Sequence, residues 1–455
     1  MTILTPHQEV ALKTIVSRIA GVNTPEPLTY LAGYAGTGKS TILPFILDAL
    51  RIAPERVTFC APTGKAAKVM RTKLKAQGYA NWNATTIHQA IYHPDPPRIA
   101  QLEATLARHK HELELLLAAI RADLQQPSHG DSVTSRNRAI ALVAAKKNIV
   151  ALAGAELDRA YKDDAPTFNL NVDASIQNSE LIVVDEASMV GSKVAADLLR
   201  YKIPTLAIGD QGQLTPVKDI AGLTNGEPDC FLHEVHRQAA ESPIIRLSIL
   251  AREGEQLPFG DYGDSVKVMK RRDYVFEDSF DERPTMIVGQ NKTRWRNTQN
   301  MREAFGFISS ADDRIGPRAT EPVIIKKNVK GSLELVNGTP CFALTDMTIE
   351  CGETSAVFSF QDEDGVKYKD KYVFQGKFEE HFSRVSKGYS ADRHIAYWAE
   401  RKAEYVMDFN YVSTAHSAQG SEFDKVVVID EGMKEHEKWL YTAVTRSSRE
   451  LLVLR

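Results

Sequence analysis

GYAGTGKS, residues 33–40, follows the apolar run LTYLAGY (28–34) and opens the helical stretch STILPFILDAL (40–50). It fits G-x-x-x-x-G-K-[ST], the pattern of a phosphate-binding loop, and the chemistry explains the spacing. Glycines at 33, 36 and 38 let backbone N–H groups curl around phosphate oxygens, and Thr37 and Thr41 belong to the same turn. Lys39 is placed to reach the β and γ phosphates, and the Ser40 hydroxyl to bind Mg²⁺. Strand, loop and helix occur in the order such a loop needs. ATP with Mg²⁺ is therefore the expected ligand pair.

Working outward, RVTFCAPT (56–63) continues a β-α-β rhythm that predicts a parallel sheet, and ELIVVDEAS (180–188) and TLAIGD (205–210) supply further buried strands. The strand at 180–188 ends in two acids. Asp185 suits a Mg²⁺-holding role, and Glu186 beside it is placed to orient and deprotonate an attacking water. A transferase would have no need of that second acid, so the pair favours hydrolysis. After the strand TLAIGD, Gln213 is a candidate γ-phosphate sensor. Arg237 in LHEVHRQ and Arg446 in YTAVTRSSRE are candidate arginine fingers. Taken singly, each arginine would more often be a surface residue; the set gives them weight.

Between these strands the pattern changes. Leu102, Leu106, Leu113, Leu116 and Ile120 recur at spacings of three, four and their sum, seven, which predicts one helix. A second, Ala-rich helix follows over 136–161, with QPSHGDSVTS (126–135) as the turn. This reads as a helical hairpin, with His109 on its inner seam. After residue 235 a second α/β pattern begins with PTMIVGQNK (284–292). From about 326 to 382 the chain alternates as VIIKKNV, AVFSFQD and KYVFQG, predicting a small β-barrel, before the aromatic-bearing stretch HIAYWAERKAEYV (394–406).

The remaining composition narrows the class. At 455 residues, with 43% hydrophobic and 25% charged content, the chain can bury several cores. No apolar run reaches the length of a membrane span, and MTILTPHQEV lacks the form of a signal peptide, so an intracellular protein is expected. Cys60, Cys230, Cys341 and Cys351 form no C-x-x-C pair, which argues against a zinc site or a disulfide framework. A protein gripping duplex DNA over a wide face would usually be more basic than the net charge of −3, so any nucleic-acid contact is expected to be a local groove; charge alone argues neither way.

The order of motifs resembles the superfamily 1 helicases, in the branch containing RecD and Dda, whose members move 5′ to 3′. TPHQEVAL (5–12), GYAGTGKS, APTGKAAKVM (61–70), TTIHQAI (85–91), VVDEASM (183–189), GDQGQLTPV (209–217), VHRQ (235–238), STAHSAQGSEFDKVVV (413–428) and YTAVTRSSR (441–449) fall in the family's sequence. The resemblance implies an α/β fold of two RecA-like P-loop domains that sandwich ATP. The first spans 1–90 and 176–235 with a pin and helical arm inserted at 91–175; the second spans 236–325 and 405–455 with a small barrel and helical extension at 326–404. It implies that Gln8 reads adenine, Glu422 contacts ribose, Gly420 and Gln419 lie on the phosphate side, and Arg446 meets the γ phosphate. Pro62, Thr63 and His88 from the first domain, with Asn291, Thr414 and His416 from the second, are implied contacts to single-stranded DNA.

The function implied is an ATP-dependent DNA helicase in replication, recombination or repair. The alternative is a DNA-stimulated ATPase that strips or loads partner proteins. The expected substrates are a single strand and a forked duplex. A single-strand-binding or replication protein is the expected partner, the chain is expected to act as a monomer, and a phage source fits its compact size. The family's strand-separating pin is a β-hairpin, for which QAIYHP (89–94) and APTFNLNVD (165–173) would form the legs, with Tyr92 and Phe168 as candidate wedge residues.

Overall fold

The computed structural model describes residues 4–21, 28–76, 78, 84–94, 98–124, 142–144, 146–154, 168–171, 174–216, 219–234, 242–275, 283–308, 316–329, 332, 334–349, 355–374, 377–378 and 403–455. Two compact units divide the chain, Met1–Ala90 with Ser175–Arg455, and Ile91–Ala174.

The larger unit begins with a helix, Pro6–Ala20. Thr5 caps it reciprocally with Gln8, proline occupies its first turn, and Ala11, Ile15 and Ile19 bury one stripe at a spacing of four. Its first sheet has six strands: β1 (Leu28–Gly33), β2 (Val57–Ala61), β3 (Ala84–Thr86), β6 (Leu181–Val184), β7 (Thr205–Gly209) and β8 (Cys230–Leu232). They lie in the order β3-β2-β6-β7-β1-β8, all parallel. β6 and β7 are wholly buried, as strands covered on both faces must be, and this explains their unbroken apolar sequence. Because β6, β7 and β1 are neighbours, their carboxyl ends bring 33–40, 185–186 and 210–213 to one crevice.

β4 (Tyr92–Pro94) and β5 (Phe168–Leu170) belong to the smaller unit and pair antiparallel, with Tyr92 opposite Leu170. The same unit holds the helix Arg98–Leu124 and the helical residues 142–144 and 146–154. Lys146 pairs with Glu112, which also accepts from His109 Nδ1 at 3.2 Å, so the inner-seam histidine is half-buried and bound to its own helix.

The second sheet of the larger unit contains β9 (Gly260–Asp261), β10 (Val266–Met269), β11 (Thr285–Val288), β18 (Val412–Thr414), β19 (Phe423–Ile429) and β20 (Ser447–Leu454), in the order β18-β11-β19-β20-β10-β9. β11 and β18 are adjacent and parallel, which sets the segment starting at Asn291 beside the short helix Ala415–Ala418. We call the parts built on the two sheets the first and second lobes.

β12 (Pro322–Ile325), β13 (Pro340–Ala343), β14 (Thr348–Ile349), β15 (Ser355–Asp362), β16 (Lys367–Phe374) and β17 (Tyr405–Phe409) form a third sheet. Its pairings run β13 to β12 to β17 to β16 to β15 and back to β13, a closed ring of five strands with β14 added on β15. The expected barrel limits of 326–404 therefore cut too short. β12 and β17 lie outside them and close the ring, because a barrel requires both flanking strands to complete its pairing. A fully buried ion pair anchors the ring: Arg302 meets Glu321 at 2.6 and 3.0 Å, and Tyr411 donates to the same carboxylate at 2.9 Å. Among the described residues, no helix is long and apolar enough to cross a membrane.

Candidate nucleotide and strand sites

The phosphate loop is built as its sequence requires. Gly36 and Gly38 have φ of 79° and 78°, a region that side chains strain to enter. A Cβ on Gly33 would lie 2.7 Å from Thr37 Oγ1 and 3.1 Å from Leu232, so no larger residue fits. Lys39 Nζ donates to the carbonyls of Gly33 at 2.6 Å and Tyr34 at 2.8 Å, and stands 3.8 Å from the buried carboxylate of Asp210. Thr41 continues the turn, donating its N–H to Gly38 at 3.0 Å. Gln8, expected to read adenine, is buried, and both ends of its amide are engaged: Oε1 accepts from Thr5 N–H at 3.1 Å and Nε2 donates to Thr37 at 3.3 Å. It thereby ties the first helix to the loop.

Asp185 and Glu186 stand at the end of β6. Glu186 adopts a left-handed backbone, φ 52° and ψ 38°, and donates its N–H to Asp185 Oδ1 at 2.9 Å. A non-glycine residue held there stores strain of the kind concentrated at reacting sites. Burial pushes the Glu186 carboxyl above the usual range, and the neighbouring charges of Asp185 and Asp210 add to this while Arg446 and Lys39 oppose it. Gln213 is buried, and its Oε1 has no hydrogen-bond partner among the described residues. An orphaned acceptor of this kind beside the loop fits a site completed by a ligand. The oxygen-bearing set of Asp185 and Ser40 suits magnesium, a hard cation. The side chain of Ser40 and all of Arg237 lie outside the described residues.

The second lobe reaches this crevice directly. Tyr441 Oη accepts from Ala35 N–H of the phosphate loop at 2.8 Å and donates to Asp210 at 2.8 Å. Thr442 Oγ1 accepts from Leu214 N–H at 3.0 Å, while Gln419 Nε2 donates to Leu214 O at 2.8 Å. Gln419, buried, therefore holds the 210–214 loop from the second lobe. Gly420 closes on Ala66 of the first lobe, and Glu422 is exposed at the edge. Arg252 stacks over the ring of Tyr34 at 3.7 Å. Arg446 is buried and donates to Thr442 O, Ser421 O and Thr445 Oγ1 at 3.0–3.1 Å. These bonds use three of its five N–H donors within its own lobe, which leaves two for a phosphate oxygen.

A second concavity of about 380 Å³ lies where both lobes meet the barrel. Thr63 and Lys65 line it from the first lobe, Asn291, Arg294 and His416 from the second, and Lys326, Lys377 and Asp408 from the barrel. Arg294 and Asp408 pair at 2.7 Å. Burial lowers the pKa of Lys65 and, against the opposing charge of Glu435, that of His416. A larger cavity of about 460 Å³, at the edge formed by β10 and β20, contains none of the expected site residues.

Of the expected strand contacts, Thr63, Asn291 and His416 meet in this concavity. Pro62 is half-buried next to Thr63, and Thr414 is engaged in capping, accepting from Ser417 N–H at 3.3 Å. His88 is half-buried, which lowers its pKa, and it is not part of the lining. Tyr92 is only 8% exposed, so its ring presents little of the open face a wedge needs. The side chain of Phe168 lies outside the described residues.

Sequence reasoning missed Lys65, Arg294, Lys326 and Lys377 in the concavity, along with Tyr441, Thr442 and the bond from Gln419 to Leu214. Lys65 and Tyr441 stood inside quoted motifs; the barrel lysines carried no local signal.

Comparisons with known proteins show what this chain is similar to. The family model described as AAA domain matches residues 4–277, and that of the UvrD-like helicase C-terminal domain matches 409–454. A curated relative, the ATP-dependent RecD2 DNA helicase of Deinococcus radiodurans, is 25% identical over 255 residues, 54% of this chain. The chain spans about a quarter of that relative's length, 24%. Among solved structures, Pif1 helicase from Candida albicans aligns over 100% of this chain and 95% of its own at 17% identity, TM-score 0.49. Bacteroides Pif1 bound to ssDNA aligns over 100% and 92% at 14% identity, TM-score 0.48.

Proposed function

The chain belongs to the superfamily 1 helicases, in the branch of the RecD- and Pif1-like proteins, and from that premise we propose that it is an ATP-driven motor moving 5′ to 3′ along single-stranded DNA and opening duplex at a fork. The observation that carries the reading is Leu214. Its loop leaves the first lobe's nucleotide crevice, its side chain packs in the core of the second lobe, and both its peptide groups are held by that lobe. Gln419, which holds one of them, lies three residues from His416 in the strand concavity. A nucleotide that changes the fit between lobes thus changes the strand path.

In this reading the phosphate-loop amides and Lys39 hold the β and γ phosphates. Asp185 and Ser40 hold magnesium, which when bound neutralises charge on the phosphate oxygens. Glu186 orients the attacking water and takes its proton, Gln213 reads the γ phosphate, and Arg446 with Arg237 stabilises charge on the transferring group. The strand lies along Thr63, Asn291 and His416, with Lys65 and Lys326 facing its phosphates. Such contacts tolerate any sequence and weaken with salt through counterion release. The class of work is replication, recombination or repair.

The test is a forked duplex carrying either a 5′ or a 3′ single-stranded tail. Unwinding that needs ATP and a 5′ tail is expected. Preference for the 3′ tail overturns the direction. Strand-stimulated ATPase without unwinding of either fork replaces the helicase reading with that of a translocase.

A further inference from the structure

Lys68 lies on the first-lobe helix Gly64–Ala76, outside the nucleotide crevice and outside the lining of the strand concavity. Three carboxylates of the barrel converge on its ammonium: Asp364 at 2.8 Å, Glu363 at 3.0 Å and Glu334 at 3.3 Å. They come from two turns far apart in sequence. Asp362 Oδ1 accepts from Asp364 N–H and Val366 N–H, which fixes the turn between β15 and β16; Ser332 Oγ accepts from Glu334 N–H and Leu335 N–H in the other. Around this point the barrel presses on the same helix. A Cβ on Gly64 would lie 2.7 Å from Val336, and one on Gly338 would lie 3.1 Å from Lys65. Burial opposes the charge on Lys68, but the hydrogen bonds it donates to Asp364 and Glu363 outweigh this and hold the ammonium charged.

These contacts complete a circuit. The first lobe meets the second through Leu214 with Gln419 and through Lys65 over the ring of Phe423 at 4.9 Å. The second lobe is bonded to the barrel through Arg294 with Asp408 and Arg302 with Glu321. The barrel returns to the first lobe at Lys68. Inside the circuit lies the concavity read as the strand path.

We propose that the two lobes and the barrel form a closed ring around the strand, and that Lys68 with Glu334, Glu363 and Asp364 is its latch. The proposal rests on the strand running through that concavity. Three acids on one lysine make a contact that holds only while the cation is present, since without it they repel one another and the phosphates beside them. All three carboxylates are more than 40% exposed, so the latch is a surface contact, weak enough to open for loading. The ring would keep the motor on its track between steps, a retention function distinct from ATP hydrolysis.

The experiment compares a covalently closed single-stranded circle with the same strand linearised, using the full chain, ATP and an excess of trap oligonucleotide. Wild-type protein should run off the linear strand and leave the circle at least about tenfold more slowly. Lys68→Glu should erase that difference by releasing the circle at the linear rate. Lys68→Glu with Glu363→Lys and Asp364→Lys should restore it by reversing the charges. ATPase without DNA should persist in Lys68→Glu, which reports a folded chain. Equal release of circle and line by the wild type overturns the ring, and unchanged circle retention in Lys68→Glu overturns the latch. Lys326→Gln with Lys377→Gln tests the underlying reading separately. Undiminished affinity for linear strand in that variant removes the strand from the concavity, whatever the circle shows.

Discussion

Thr442→Val is the substitution that most directly probes communication between the lobes. Thr442 is fully buried, and its hydroxyl takes the N–H of Leu214, itself 4% exposed, while its carbonyl takes Arg446 Nε. Valine keeps the shape and the β-branch and removes only the acceptor. With the lobes together, Leu214 N–H is then buried without a partner, which costs about 1–3 kcal/mol. With the lobes apart, water satisfies the same group, so the cost falls entirely on the closed form. Closure is therefore disfavoured by a factor of about 5–150, since about 1.4 kcal/mol is tenfold. DNA-stimulated kcat/KM for ATP should fall by that factor, while Thr442→Ser, which keeps the hydroxyl, should stay within about threefold of wild type. Steady-state ATPase with and without single-stranded DNA makes the measurement. Wild-type kcat/KM in Thr442→Val refutes the reasoning. Equal damage in Thr442→Ser would assign the effect to methyl packing instead.

Glu186→Gln should retain nucleotide binding and lose turnover by about 10²–10⁴-fold, read by single-turnover hydrolysis beside equilibrium binding. Because the base must be ionised and its pKa is raised, the rate should fall with acidity at a pH above the ordinary carboxylate range. Asp210→Asn removes a charge that raises this pKa and should move that limb to lower pH, whereas Arg446→Ala removes one that lowers it and should move it higher; opposite movements exclude Glu186 as the titrating group. Arg302→Met leaves Glu321 buried without its cation and should cost about 3–5 kcal/mol in urea unfolding, with most of the loss regained when Glu321→Met is added. A single-mutant cost below about 1 kcal/mol would show that the pair does not anchor the barrel. Replacing residues 101–160 by a short Gly-Ser turn should spare DNA-stimulated ATPase, since the segment falls within a separate compact unit, and should reduce fork unwinding. Collapse of the ATPase would make the arm part of the motor core.

The chemistry of the first lobe was legible because it is local. A phosphate loop needs glycines where φ is positive and a lysine at one fixed offset, and a buried strand ending in Asp185 and Glu186 declares itself by its apolar run. The barrel was legible as alternating sequence, but its limits were not, because β12 and β17 become its strands only by pairing across some eighty intervening residues. Tyr92 illustrates a different limit: an aromatic residue at the expected leg of a pin reads the same whether its ring is open or packed, and only burial separates the two.

The sequence by itself disclosed a phosphate-loop pattern in a parallel α/β lobe and a second α/β lobe carrying Arg446. Only the tertiary structure decided what joins them. Tyr441 reaches Asp210 across 231 residues, Gln419 reaches Leu214 across 205, and Lys68 reaches Asp364 across 296. A tyrosine, a glutamine or a lysine carries no local mark of such a partner. Backbone torsions and the apolar run of a strand are written in neighbouring residues, whereas a hydrogen bond between lobes depends on how two finished surfaces fit.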